Sequence, residues 1–191
     1  YWYHSHVGLQ EQRGVYGGIV VQPAEADPTE PAVDREHVVL LSDWTNEHPD
    51  EVMRTLRRGD EWYAIRKGNQ QSLWGAHRAG MLSEFLQNQW ANMPPMDISD
   101  VAYDAFWANG NQRTQLVGAA GERVKLRLIN AGAATYFYVH SATGPLTVVA
   151  ADGMPVQPFT QRRLLMGMGE TYDVIVTVPE SGRYEVRATA Q

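Results

Sequence analysis

Tyr1-Trp2-Tyr3-His4-Ser5-His6, followed at once by Val7-Gly8-Leu9-Gln10-Glu11-Gln12-Arg13-Gly14-Val15-Tyr16-Gly17-Gly18-Ile19-Val20-Val21, is the stretch from which the rest of the chain is read. Aromatic residues favour the half-buried pleated surface of a sheet, so the opening reads as a strand. Residues i and i+2 of a strand share a face, which sets His4 and His6 side by side, about 6–7 Å apart. Two neighbouring imidazoles suit two metal tasks: pinching one ion, or giving one ligand to each of two ions. The plain alternative is a pair of solvated or hydrogen-bonded strand histidines.

Gly17, Gly18 and the run Ile19-Val20-Val21 read as a closing strand. Gln22 to Arg35 holds Pro23, Pro28 and Pro31 among acidic and small residues with little to bury, the mark of an extended linker. His37-Val38-Val39-Leu40-Leu41 is a continuous apolar run, which predicts a strand covered on both faces and the start of a new domain. Ser42-Asp43-Trp44 is expected to turn the chain into a short helix. Pro49 suits its first position, Asp50 and Glu51 the positive end, Arg54, Arg57 and Arg58 the negative end, and Gly59 a stop. Leu82, Phe85, Leu86 and Trp90 predict a second helix within 73–90, with Gly75 and Gly80 interrupting its start.

From Tyr103 onward the pattern is β. Val124, Leu126 and Leu128 alternate with Arg123, Lys125 and Arg127, predicting a strand with one buried face. Further strands are expected at Thr135 to His140, Leu146 to Ala150, Arg163 to Met166, Tyr172 to Val178 and Tyr184 to Ala188. Turns such as Asn109-Gly110-Asn111 and Asp152-Gly153 separate them. Many short strands with regular turns make a sandwich or barrel.

Composition narrows the functions. The 191 residues carry a formal net charge of −6, so no basic field exists for nucleic acid. No apolar run reaches the roughly 18–20 residues of a membrane helix. Without cysteine the chain cannot hold a blue copper site, which needs a thiolate, nor use a cysteine nucleophile. No glycine-rich phosphate loop follows a strand, and no nucleophile-elbow motif is present. Met93 and Met96 around Pro94-Pro95, and Met166 with Met168, offer thioethers to soft Cu(I), although packing is the simpler role for methionine. His37, His48, His77 and His140 show no ligand spacing with one another.

The string Tyr-Trp-Tyr-His-Ser-His, its Gly/Gln-bearing loop and Gly14 to Val21 closely resemble the end of the first cupredoxin domain of multicopper oxidases. Trp107-Ala108-Asn109-Gly110, Val124 to Ala131, Val148 to Val156 and Gly169 to Val176 resemble the second cupredoxin domain of the same family. Gln10 to Gly17 and Asp34 to Thr45 are similar to the periplasmic copper-resistance subgroup.

The resemblance implies an all-β, Greek-key, cupredoxin-like sandwich or barrel with one or two inserted short helices. It divides the chain into 1–22, the closing strands of a first domain; 23–36, a linker; and 37–191, a second, copper-free domain. It implies that His4 and His6 each give a ligand to one copper of the type 3 pair within a trinuclear cluster, the other ligands lying in absent segments. The implied parent is a periplasmic oxidase of Cu(I) or phenolic substrates that reduces dioxygen to water, its partners being the remaining cupredoxin domains. The isolated chain is expected to be inactive, and its aromatic first strand is a template for self-association. The alternative reading is a non-catalytic structural or weakly copper-binding module.

Overall fold

The computed structural model describes residues 1–22, 24–25, 30–58, 62–67, 72–90 and 101–191. The Met93/Met96 pair, Pro23 and Pro28 of the expected linker, and Gly59 lie outside them. The chain divides into two compact units, one formed by Tyr1–Asn46 with Tyr103–Gln191 and the other by Glu47–Ala102.

The first unit is a β-sandwich. Its strands are β1 (Trp2–His4), β2 (Tyr16–Gly18), β3 (Arg35–Trp44), β4 (Ala105–Ala108), β5 (Arg123–Asn130), β6 (Phe137–Ser141), β7 (Leu146–Ala151), β8 (Met154–Gln161), β9 (Leu164–Met166), β10 (Thr171–Thr177) and β11 (Val186–Ala190). Six strands form one sheet in the order β4-β3-β5-β10-β7-β8, and three form the other in the order β11-β6-β9. From β5 to β11 the chain crosses repeatedly between the two sheets, the Greek-key habit expected, and the sheets remain a sandwich without closing into a barrel. β3 and β5 run parallel; the other neighbours are antiparallel.

Val39 and Leu41 of β3, Val124, Leu126 and Leu128 of β5, and Val174 and Val176 of β10 face Phe137 and Val139 of β6 and Leu164 and Met166 of β9 across the core. The alternation of β5 therefore sets one face inward as expected. Its other face departs from expectation, because Lys125 is only 1% exposed. Its ammonium pairs with Glu30 and, at 2.9 Å, with Glu36, while Arg127 bridges Glu36 at 2.9 Å and Asp173 at 2.6 Å. An ionic ladder thus covers the outward side of β3, β5 and β10.

β3 is longer than the apolar run that signals it, and Ser42-Asp43-Trp44 continues the strand instead of turning. Asp43 explains why: its carboxylate accepts from the backbone N–H groups of Ala133 and Ala134 at 3.0 and 3.1 Å and from the Thr135 hydroxyl at 2.8 Å, tying the strand end to the β5–β6 connection. Nor is β3 covered on both faces throughout, since Val38 is 37% exposed. Asn130, fully buried at the end of β5, donates to the carbonyls of Thr135, Met166 and Gly167 and accepts from the Gly132 N–H.

Asp152 and Gly153 both have positive φ, 48° and 76°, as the tight β7–β8 turn requires, and Asn109 and Gly110 do the same after β4 at 52° and 75°. β8 itself is not signalled by alternation. It carries Pro155 and Pro158, and it lies at the edge of the six-stranded sheet, where a missing N–H breaks no ladder.

Ile19-Val20-Val21 is not a strand; β2 ends at Gly18, and the Ile19 N–H closes on the Tyr1 carbonyl at 2.8 Å. The β1–β2 ribbon packs on the sandwich. A Cβ at Gly169 would stand 3.4 Å from the Trp2 indole nitrogen, and one at Gly153 2.8 Å from the Tyr1 ring. Within the ribbon Tyr3 lies across from Gly17, its ring covering the glycine.

The second unit is helical: α1 (Pro49–Arg58), α2 (Trp62–Arg66), α3 (Leu73–Arg78) and α4 (Leu82–Trp90). α1 begins on Pro49 as expected. The single helix expected within 73–90 is two, because Gly80 adopts φ 72° and ends the first; the Ser72 hydroxyl caps α3 by accepting from the Gly75 N–H at 3.1 Å. Among the described residues four short helices thus stand where one or two were expected. Glu47 accepts from the Tyr63 hydroxyl at 2.8 Å and pairs with Arg66. Among the described residues no helix is long and apolar enough to cross a membrane.

Candidate metal centre

The histidine pair sits where β1 ends. Period-two alternation stacks Trp2, His4 and His6 into one column: Trp2 and His4 lie 4.3 Å apart between ring centroids and 14° from parallel, and His4 and His6 lie 4.4 Å apart at 36°. His4 is half-buried and His6 exposed. The expectation that the two imidazoles share a face holds, although His6 lies two residues beyond the strand.

A compact loop returns the chain from His6 to β2. Gly8 and Leu9 both take left-handed backbone, φ 56° and 55°, and a 3-10 turn follows over Gln10–Arg13. Gly14, at φ 85°, closes that turn with its N–H on the Glu11 carbonyl at 2.9 Å. The Ser5 N–H donates to the Val15 carbonyl at 3.0 Å and its hydroxyl to Gln10 Oε1 at 2.8 Å. The buried Gln12 donates from Nε2 to the Tyr103 hydroxyl at 3.1 Å, pinning the turn to the sandwich. This folding aims Glu11 back at the column: its Oε2 lies 2.7 Å from His4 Nδ1. Glu11 is the residue that reading the sequence missed. Seven positions and two left-handed residues separate it from His4, and only a Glu within a turn-forming stretch hinted at it.

The donor chemistry fits copper. Imidazole nitrogen binds it readily, and two rings placed in contact present two such ligands from one side. They do not close a site alone, for among the described residues no group of three or more His, Cys, Asp or Glu side chains is placed for a metal ion.

The other candidates stand apart. His37 Nε2 lies 2.8 Å from the Val117 carbonyl, His48 Nδ1 accepts from the Asp50 N–H at 3.3 Å, and His77 is exposed beside Trp74. His140 lies in β6 opposite Arg187. Met166 is fully buried in the core while Met168 is 40% exposed, so these two do not present a pair of sulfurs to solvent.

A two-sheet Greek-key sandwich of this kind is a cupredoxin-like fold. Models of the multicopper oxidase family match residues 1–26 and 35–191, and the chain belongs to that family. It is 39% identical to copper resistance protein A of Escherichia coli over 98% of its own length and 32% of that protein's. The crystal structure of a laccase from Botrytis aclada superposes with a TM-score of 0.65 and 28% identity over 97% of this chain and 30% of that one. Fet3p, a multicopper oxidase that functions in iron import, superposes at 0.68 and 16% identity over 100% of this chain and 30% of its own, a likeness of fold. The chain spans about a third of the length of the curated relatives it matches.

Proposed function

We propose that His4 and His6 each give one imidazole to the two coppers of a type 3 pair, in a cluster completed by other segments of the same protein. On this reading residues 1–22 close a first cupredoxin domain, 23–36 connect, and 37–191 form a copper-free middle domain. The whole protein oxidises Cu(I) or a phenolic substrate and reduces dioxygen to water, in the periplasm as the copper-resistance resemblance implies. The observation that carries the reading is the ring-to-ring contact of His4 and His6 on a ribbon anchored to the sandwich.

Copper bound there supplies the electron transfer to dioxygen. This chain's own residues bind and orient. His4 and His6 offer nitrogen lone pairs, Trp2 holds the plane of the His4 ring by stacking, and the β1–β2 pairing holds the backbone beneath, with His4 opposite Tyr16. The middle sandwich works as a rigid spacer, its packed core fixing the ribbon relative to the sheet.

The test is metal content by elemental analysis, together with oxygen uptake, in the full-length protein carrying His4→Ala or His6→Ala. His77→Ala serves as control. Both site variants should lose copper and oxygen uptake while the control keeps both. Full copper and full uptake in both site variants would overturn the reading.

A further inference from the structure

We propose that Glu11 is a positioning residue for His4: its carboxylate holds the imidazole proton on Nδ1 and so reserves Nε2 for the metal ion. This rests on the reading of His4 as a copper ligand and adds which nitrogen binds and what selects it.

An ionised carboxylate can only accept a hydrogen bond. With Glu11 Oε2 at 2.7 Å from Nδ1, the neutral His4 ring carries its proton on Nδ1, and the lone pair lies on Nε2 at the far side of the ring. The contact is part-buried, the two side chains being 26% and 23% exposed, which strengthens a charge-assisted bond over one made in open water.

Glu11 is itself held. The 3-10 turn that carries it is closed by Gly14, tied to β1 through Ser5 and Gln10, and tied to the sandwich through Gln12 and Tyr103. Leu9 adopts left-handed backbone, costly for a residue with a branched side chain, at the point where the chain must bend Glu11 back toward His4. Stacking on Trp2 fixes the ring plane and the carboxylate fixes rotation within it, so two independent contacts leave His4 one orientation. His6 is exposed and shows no such partner among the hydrogen bonds of the described residues, so the ordering of the pair begins at His4.

The decisive experiment has two arms. In the first, metal-free protein labelled with 15N-histidine is examined by long-range 15N–1H correlation at a pH where the ring is neutral. Wild type should show His4 protonated on Nδ1, and Glu11→Ala should move the proton toward Nε2. Glu11→Gln, which keeps shape and an acceptor oxygen, should hold it on Nδ1. In the second arm, copper retention by the loaded full-length protein is titrated with a chelator. Glu11→Ala should weaken retention about 10–100-fold and Glu11→Gln by less.

Overturning results are an unchanged His4 proton in Glu11→Ala, or retention within twofold of wild type in both variants. Should Glu11→Ala fail to fold, Glu11→Gln must still show Nδ1–H and weakened retention for the proposal to stand. A purely structural Glu11 would lower the melting temperature without moving the proton. His4→Ala separates the two ideas: if it keeps copper, the ligand reading fails, and if it loses copper while Glu11→Ala does not, only the positioning role fails.

Discussion

Gly18 of β2 lies so close to Ile129 of β5 that a Cβ at position 18 would stand 2.9 Å from the isoleucine Cδ1. Ile129 points away from the core between the sheets, yet it is buried, and the same imagined Cβ would meet Leu40 and Val38 of β3 at 3.7 and 3.9 Å. The outward apolar residues of β3 and β5 are therefore the seat of the ribbon that carries His4 and His6. Gly18→Val should lift that ribbon and destabilise the chain by about 1–3 kcal/mol. Amide hydrogen exchange should quicken over β1 and β2 and stay slow in β5 and β10. Uniformly unchanged exchange would show that the seat does not need a glycine.

Asp43 gives a pH signature. Burial pushes its carboxyl up, against hydrogen bonds from Ala133, Ala134 and Thr135 that favour the charged form. A carboxyl raised on folding binds more protons in the native than in the unfolded state between its ordinary value, about 4, and its raised one. Its contribution to stability therefore declines as pH rises through that interval. Urea midpoints should show this decline in wild type and lose it in Asp43→Asn. Asp43→Ala should cost about 3 kcal/mol at neutral pH, since two N–H groups and a hydroxyl lose their acceptor.

The ladder around Lys125 predicts an asymmetry. Glu30 and Glu36 are about two-fifths exposed and can rehydrate if the ammonium is removed, whereas the ammonium is buried and cannot. Lys125→Met should thus lie within about 1 kcal/mol of wild type, and Glu36→Gln should cost about 2 kcal/mol, trimmed by solvent screening at the carboxylate and by the remaining Glu30. Burial pushes Glu36 up, but Lys125 and Arg127 outweigh it and hold the carboxyl below its usual range. Its stabilisation is present above the ordinary carboxylate value and is lost as pH falls through the lowered one. Equal costs for the two substitutions in denaturant titrations would refute this ordering.

Asn130 should tolerate no acid. Its amide nitrogen faces the carbonyls of Thr135, Met166 and Gly167, so Asn130→Asp sets a carboxylate oxygen against three acceptors in a buried place. A loss of about 3–5 kcal/mol is expected, eased at low pH where the carboxyl can donate. Thermal melts at pH 4 and pH 7 should show a smaller deficit in acid.

Alternation made β5 legible, because burial acts through side chains that repeat every two residues, and a continuous apolar run made the middle of β3 so; β7 and β10 stood out as short β-rich runs between turns. β8 was not legible: at a sheet edge its burial does not alternate, and its prolines argue against a strand to any reader of sequence. Lys125 is misread for a related reason. Its partners Glu30 and Glu36 lie some ninety residues upstream and reach it only through the parallel pairing of β3 with β5. At the candidate site, the side-by-side placement of His4 and His6 was readable from spacing, while the approach of Glu11 depended on a left-handed bend at Leu9 that leucine does not advertise.

The prolines of β8 reach beyond the molecule itself. The outer rim of the larger sheet is a strand of eight residues, two of which lack an N–H to offer a newcomer, and the opposite rim, β4, is only four residues long and ends in a tight turn. Neither rim gives an incoming chain a long run of donors and acceptors to zip against. Crowded copies of this domain are thereby guarded against joining through the rims of the larger sheet, a protection written into the borders of that sheet and separate from anything its interior does.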